Sequence, residues 1–146
     1  MRHLFFLAAL AATPAMAQIT IENAWTRATP PGAKIAAGYM VIHNAGTAPD
    51  RLIGVSSPAA EKVEMHVTAK DGDVLRMREV KGYDIPAKAS YELKLGGSHL
   101  MFVNIKAPFK EGDKIPATLK FEKAGELKSQ LDVRPLAGGA MQHKGH

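Results

Sequence analysis

The sequence predicts a single all-β domain, a Greek-key β-sandwich or barrel of about eight strands, and three observations carry that expectation. Apolar and polar residues alternate at period two: Ala117, Leu119 and Phe121 share one face, while Thr118, Lys120 and Glu122 share the other. Turn chemistry interrupts the chain repeatedly, at Pro30-Pro31-Gly32, Asp71-Gly72, Gly96-Gly97 and Ala124-Gly125 among others. No segment carries a helical apolar stripe of useful length.

The elements follow in chain order. Residues 1–17 stand apart from the domain: Arg2, an apolar run from Leu4 to Ala12, and Ala15-Met16-Ala17 before Gln18 have the layout of a secretory signal peptide. The run is too short to span a bilayer as a permanent helix, and no later stretch is apolar enough to do so. The domain is then expected over residues 18–136. It opens with the strand ITIEN, passes through the loop RATPPGAK, and continues with AAGYMVIHN. RLIGVSS and EKVEMHVT come next, separated by Ser57-Pro58, and a turn at AKDGD leads into VLRMREV. YDIP and SYELKL precede Gly96-Gly97, which open onto SHLMFVNIK. Beyond the loop APFKEGDK, PATLKFEK pairs with LKSQLDVRP, where Leu127, Leu131 and Val133 oppose Lys128, Gln130 and Asp132. Residues 137–146 form a glycine-rich tail after Pro135, expected to be flexible.

Composition removes several function classes. The chain has no cysteine, which excludes thiolate catalysis, thiol redox chemistry and cysteine metal sites; a chain of this length can stabilise itself with a core instead of disulfides. Without Arg2, 18 basic residues stand against 14 acidic ones, a formal charge of +4. These charges are scattered through the strands, which fits ordinary solvation first and docking to an acidic partner second. No basic cluster with interleaved aromatics supports nucleic-acid binding. Nor is there a nucleophile–base pair, a zinc-type histidine cluster or a carboxylate dyad, so an enzyme is not expected.

Four side chains pose a metal question. His99 and Met101, at i and i+2 of one strand, project from the same face. With Asp71-Gly72 as a two-residue turn, Lys70 pairs with Asp73 and His66 lies directly across from Met77, close enough for both to bind one ion. If the strand carrying His99 lies beside that hairpin, two imidazoles and two thioethers converge. Thioethers are soft and neutral and suit Cu(I); zinc seldom takes methionine; a blue-copper site needs a cysteine. Met40 and Met65 alternate with apolar neighbours and read as core, and His43 at a strand end reads as exposed.

At these residues the sequence resembles the PCuAC family of periplasmic copper chaperones. His66, ten intervening residues, Met77, twenty-one intervening residues and then His99-x-Met101 match that family's motif. The similarity extends through AWTRATPPGAKIAAGYMVIHN, DRLIGVSSPAAEKVEMH, GGSHLM and GDKIPATLKFEKAGELK, nearly the whole domain. The resemblance implies a cupredoxin-like fold that binds one Cu(I) through His66, Met77, His99 and Met101. It also implies delivery toward the CuA centre of cytochrome c oxidase subunit II, alongside a Sco-type protein. Some members carry a Met/His-rich extension with a second copper site; here the tail offers Met141, His143 and His146, with Cu(II) as the ion such a site would take, against the alternative of an end without a role.

Two other functions remain open at this level. The same ligands would serve a periplasmic copper buffer for tolerance, and a metal-free sandwich could recognise protein or carbohydrate. Histidine binds metal only when neutral, so Cu(I) affinity is expected to fall as pH drops through roughly 6.5.

Overall fold

Alternating β-formers build ten strands, and no helix forms among the described residues. The computed structural model describes residues 18–136; the expected signal peptide and the tail with Met141, His143 and His146 lie outside the described residues. The strands are β1 (Ile19–Arg27), β2 (Ile35–Asn44), β3 (Asp50–Ser56), β4 (Ala60–Asp71), β5 (Val74–Val80), β6 (Tyr83–Ile85), β7 (Ala89–Leu93), β8 (His99–Ile105), β9 (Lys114–Phe121) and β10 (Gly125–Arg134). About eight strands were expected; each of the ten segments named from the sequence, YDIP and SYELKL included, forms a strand.

Seven strands close a barrel in the order β4-β8-β2-β1-β10-β9-β3, and β3 returns to β4. All neighbours are antiparallel except β1 and β10. The closing seam is narrow, with the single pair Val55↔Val63. Inside lie Leu52, Leu100, Phe102, Leu119, Phe121 and Leu131, all almost fully buried. Each such side chain contributes about 1.5–3 kcal/mol by leaving water. The expected alternation of Ala117, Leu119 and Phe121 is the inner face of β9.

Two local irregularities decide what the outer face carries. In β1 the pairing with β2 slips between Glu22 and Trp25, where Asn23 takes φ +52°. Ile19 and Ile21 point toward the core before this bulge; after it Thr26 is the buried residue, and Trp25 pairs with Tyr39 instead. The second lies between β7 and β8, which run along the same edge of β2. Met40 faces Leu93 but Gly38 faces Leu100, so two steps of β2 are matched by seven of the other segment, and the five surplus residues 94–98 loop out. Gly96 makes that loop possible with φ +79°, and Gly97 N–H donates to the Lys94 carbonyl at 2.9 Å. Because five is odd, Leu93 and Leu100 both point inward while His99 points out.

The β4–β5 hairpin corrects one expectation. Asp71 pairs with Val74 and Thr68 with Met77, so the turn is Gly72-Asp73, one residue later than Asp71-Gly72. Gly72 takes φ +63° while Asp73 stays out of the positive-φ region, the pattern of a type II′ turn with glycine first. Asp-Gly would have built type I′. The one-residue change of turn moves the register by two, so His66 faces Glu79 and Met77 sits two pairs farther along, opposite Thr68. A two-residue slip preserves faces, and Met77 remains on the His66 side of the ribbon.

Candidate metal centre

On the outer side of β4, the residues Lys62, Glu64 and His66 form a row at period two. Beside it on β8 stand Val103, Met101 and His99, and the cross-strand pairs are Lys62↔Val103, Glu64↔Met101 and His66↔His99. The strand bearing His99 therefore does lie against the hairpin. The two histidine rings are 5.5 Å apart between centroids, tilted by 37°. With metal–nitrogen bonds of about 2 Å, rings at this spacing can both reach one ion. Met101 is half-buried next to His99. Met77 lies diagonally across β4–β5 from His66 and is 60% exposed, so the hairpin brings it to the same face without closing it onto the pair.

His99 is only 6% exposed although its strand position is outward. Tyr39 covers it from β2, with ring centroids 6.5 Å apart, and Trp25 packs against Tyr39 at 4.6 Å with the rings tilted by 33°. Arg134 lies over the Trp25 ring at 4.4 Å and Arg27 at 5.5 Å. Burial raises the Tyr39 hydroxyl above its ordinary range, against a smaller opposing effect of Arg27. The β1 bulge is what delivers this aromatic wall.

Hydrogen bonds fix the row from both sides. Glu64 sits between two hydrogen-bond donors: Lys62 Nζ lies 2.9 Å from Oε2, and His66 Nε2 lies 3.0 Å from Oε1. The Lys62 hydrogen bond first, and that of His66 second, hold the Glu64 carboxyl below its usual range. His99 Nδ1 donates to the Gly97 carbonyl at 3.3 Å. Beneath the strands, the Tyr83 hydroxyl lies 2.6 Å from the His66 carbonyl oxygen and 2.8 Å from that of His99, donating between them. Desolvation by burial first, and Tyr91 second, push that hydroxyl well above its ordinary range; the two rings stack at 4.9 Å.

One atom is out of balance. His66 Nδ1 is buried with no hydrogen-bond partner, the single case among the buried side-chain nitrogens and oxygens of the described residues. Such an atom costs about 1–3 kcal/mol unless something binds it. No group of three His, Asp or Glu side chains able to hold a metal occurs among the described residues. Beside the histidine pair this face offers two thioethers and the Glu64 carboxylate, whose oxygens are engaged by Lys62 and His66, so the donors left over are soft and fit a soft ion.

His43 stands elsewhere: its Nε2 meets Glu22 at 2.7 Å and its Nδ1 meets Ser90 at 2.5 Å, so both nitrogens are engaged. Met40 and Met65 lie in the core, as their spacing suggests. Sequence reasoning missed Glu64, Tyr39 and Tyr83. Glu64 was legible as the i−2 neighbour of His66 on one strand face, but Tyr83 has no local signal because it reaches the pair across sixteen or seventeen residues.

The family model described as "Putative lipoprotein LpqE-like" matches residues 19–133. The chain belongs to the LpqE-like, PCuAC-type family. This LpqE-like chain is 31% identical over 128 residues to "Putative lipoprotein Lxx21020" of Leifsonia xyli subsp. xyli, covering 87% of its own length and 76% of that protein. Among solved structures it resembles a copper-bound PCuAC domain from PmoF2, with TM-score 0.72 and 33% identity, over 84% of this chain and 97% of that one. It also resembles the Cu(I) form of DR1885 from Deinococcus radiodurans, with TM-score 0.67 and 29% identity, over 87% and 85% of the two chains. The cupredoxin-like barrel expected from the sequence is thus the fold of PCuAC domains.

Proposed function

We propose that this LpqE-like protein is a copper chaperone, not an enzyme, which carries one Cu(I) in the periplasm after export. In this reading His66, His99, Met101 and Met77 are the ligands. The observation that carries it is the buried, unpartnered Nδ1 of His66 beside the ring of His99, on a face that also bears both methionines. The copper-bound and Cu(I)-loaded neighbours support the identity of the cargo. Neutral ligands at the barrel surface suit a carrier, because an acceptor's ligands can replace them one at a time. Met77, exposed on the β5 ribbon, is the natural first ligand to exchange.

The acceptor proposed is the CuA site of cytochrome c oxidase subunit II, with a Sco-type protein as co-worker. Tail residues Met141, His143 and His146 would form a second site, for Cu(II). Cu(I) competition against a chromogenic chelator tests the core of this reading, comparing the full chain with a version ending at Leu136. One tightly held equivalent is expected in both. His66→Ala and His99→Ala should each lose it, and His43→Ala should keep it. Equal losses at all three positions would undo the ligand assignment. Transfer is read separately, as growth of the CuA absorption when loaded protein meets the apo subunit II domain.

A further inference from the structure

The row Lys62, Glu64, His66 contains more information than the identity of a ligand. Neutral imidazole carries one N–H and one lone pair, and which nitrogen holds the proton is set by the partner of the other. Glu64, held by the Lys62 ammonium at 2.9 Å, is a carboxylate and can only accept. Its contact with His66 at 3.0 Å therefore places the proton on Nε2. The lone pair is left on Nδ1, the buried atom without a partner. His99 is arranged the other way round. Its Nδ1 lies 3.3 Å from the Gly97 carbonyl, which also can only accept, so its lone pair is on Nε2.

We propose that Glu64 is a positioning residue that locks His66 as the Nε2-protonated tautomer, so that the two histidines meet one soft cation through different nitrogens, Nδ1 of His66 and Nε2 of His99. This rests on the reading that both histidines are Cu(I) ligands and adds what makes the pair competent before the ion arrives. Without Glu64, His66 is free to populate the Nδ1-protonated tautomer, which has no lone pair at the buried position. Glu64 does not touch the ion in this arrangement. It acts through His66, as a carboxylate behind a metal-bound imidazole does. Directly across the strands from Glu64 stands Met101, so its carbon stem also borders the thioether side of the site.

The decisive measurement is a long-range proton–nitrogen NMR correlation of the histidine rings, recorded with and without Cu(I), paired with chelator competition. In the wild-type protein His66 should show the Nε2-protonated pattern, and Cu(I) should shift Nδ1 of His66 and Nε2 of His99. Glu64→Leu removes the acceptor while retaining most of the side-chain volume. It should bring in the Nδ1-protonated form of His66 and weaken Cu(I) binding about 10–100-fold, the usual effect of losing such a partner. Glu64→Ala serves the same purpose should the leucine variant misfold. An unchanged tautomer with wild-type affinity in the folded variant, or a Cu(I) shift at Nε2 of His66, overturns the assignment of Glu64 and leaves the ligand reading standing. If Cu(I) moves neither histidine in the wild-type protein, the ligand reading itself fails, and this inference with it.

Discussion

Met101 and Met77 offer the same thioether from unlike surroundings. Met101 is half-buried two residues beyond His99 on the same strand face, whereas Met77 is 60% exposed on a ribbon with solvent on both sides. Binding an ion with Met77 orders a free side chain, a cost of up to about 1.5–2 kcal/mol that Met101 has largely met in folding. Met101→Ala should therefore raise the Kd for Cu(I) more than Met77→Ala does, while Met77→Ala should mainly speed release to a chelator. A reversed order in competition and stopped-flow release would show that the ribbon, not β8, holds the sulfur that matters. The pairing of His99 with Met101 was legible from the sequence because alternation places i and i+2 on one face. Glu64 was equally open to that rule, since Glu64-x-His66 obeys the same period as His99-x-Met101.

At the scale of elements, the site is a junction of β4 with β8 that β6 braces from below. Tyr83 is 2% exposed, and its hydroxyl is shared by the carbonyls of both histidines. Tyr83→Phe should cost about 1–3 kcal/mol of stability, the penalty for stranding buried polar groups. It should also loosen the His66–His99 spacing enough to lower Cu(I) affinity. The pH signature is distinct. A tyrosine whose hydroxyl is raised in the folded state contributes stability that is complete below its unfolded value of about 10 and is lost as pH rises above it. Wild-type denaturation midpoints should thus fall above pH of about 10, by up to about 1.4 kcal/mol per pH unit from this group, and Tyr83→Phe should flatten that limb. An alkaline limb identical in the variant would assign the effect elsewhere. The hairpin shows why register was harder to read than strand existence: Asp71-Gly72-Asp73 allows either of two adjacent two-residue turns, and only the pairing of the whole ribbon chooses between them.

Across the whole molecule, the barrel separates stability from cargo. The core residues Leu119, Phe121 and Leu131 point inward, while the candidate ligands occupy the outer side of β4, β5 and β8. Leu119→Ala should destabilise the fold by about 2–5 kcal/mol through lost burial and a residual cavity. At temperatures where the variant is folded it should still take up one equivalent of Cu(I). Loss of copper binding in a demonstrably folded Leu119→Ala protein would mean that the two faces are coupled through the narrow β3–β4 seam.

From its sequence alone this protein was determined to be an all-β chain with these strands and this inner face, and the sequence also named the candidate quartet of soft and imidazole donors. Period-two alternation, turn residues and donor chemistry are local properties, carried within a few residues. The tertiary structure decided the rest: the turn at Gly72-Asp73, the bulge that brings Trp25 to Tyr39, the five-residue loop that turns His99 outward, and the contacts of Tyr83. Each depends on which strand lies beside which and in what register. That choice is made by closing the barrel, where burial and hydrogen bonding of distant segments outweigh any preference written in a short stretch of chain.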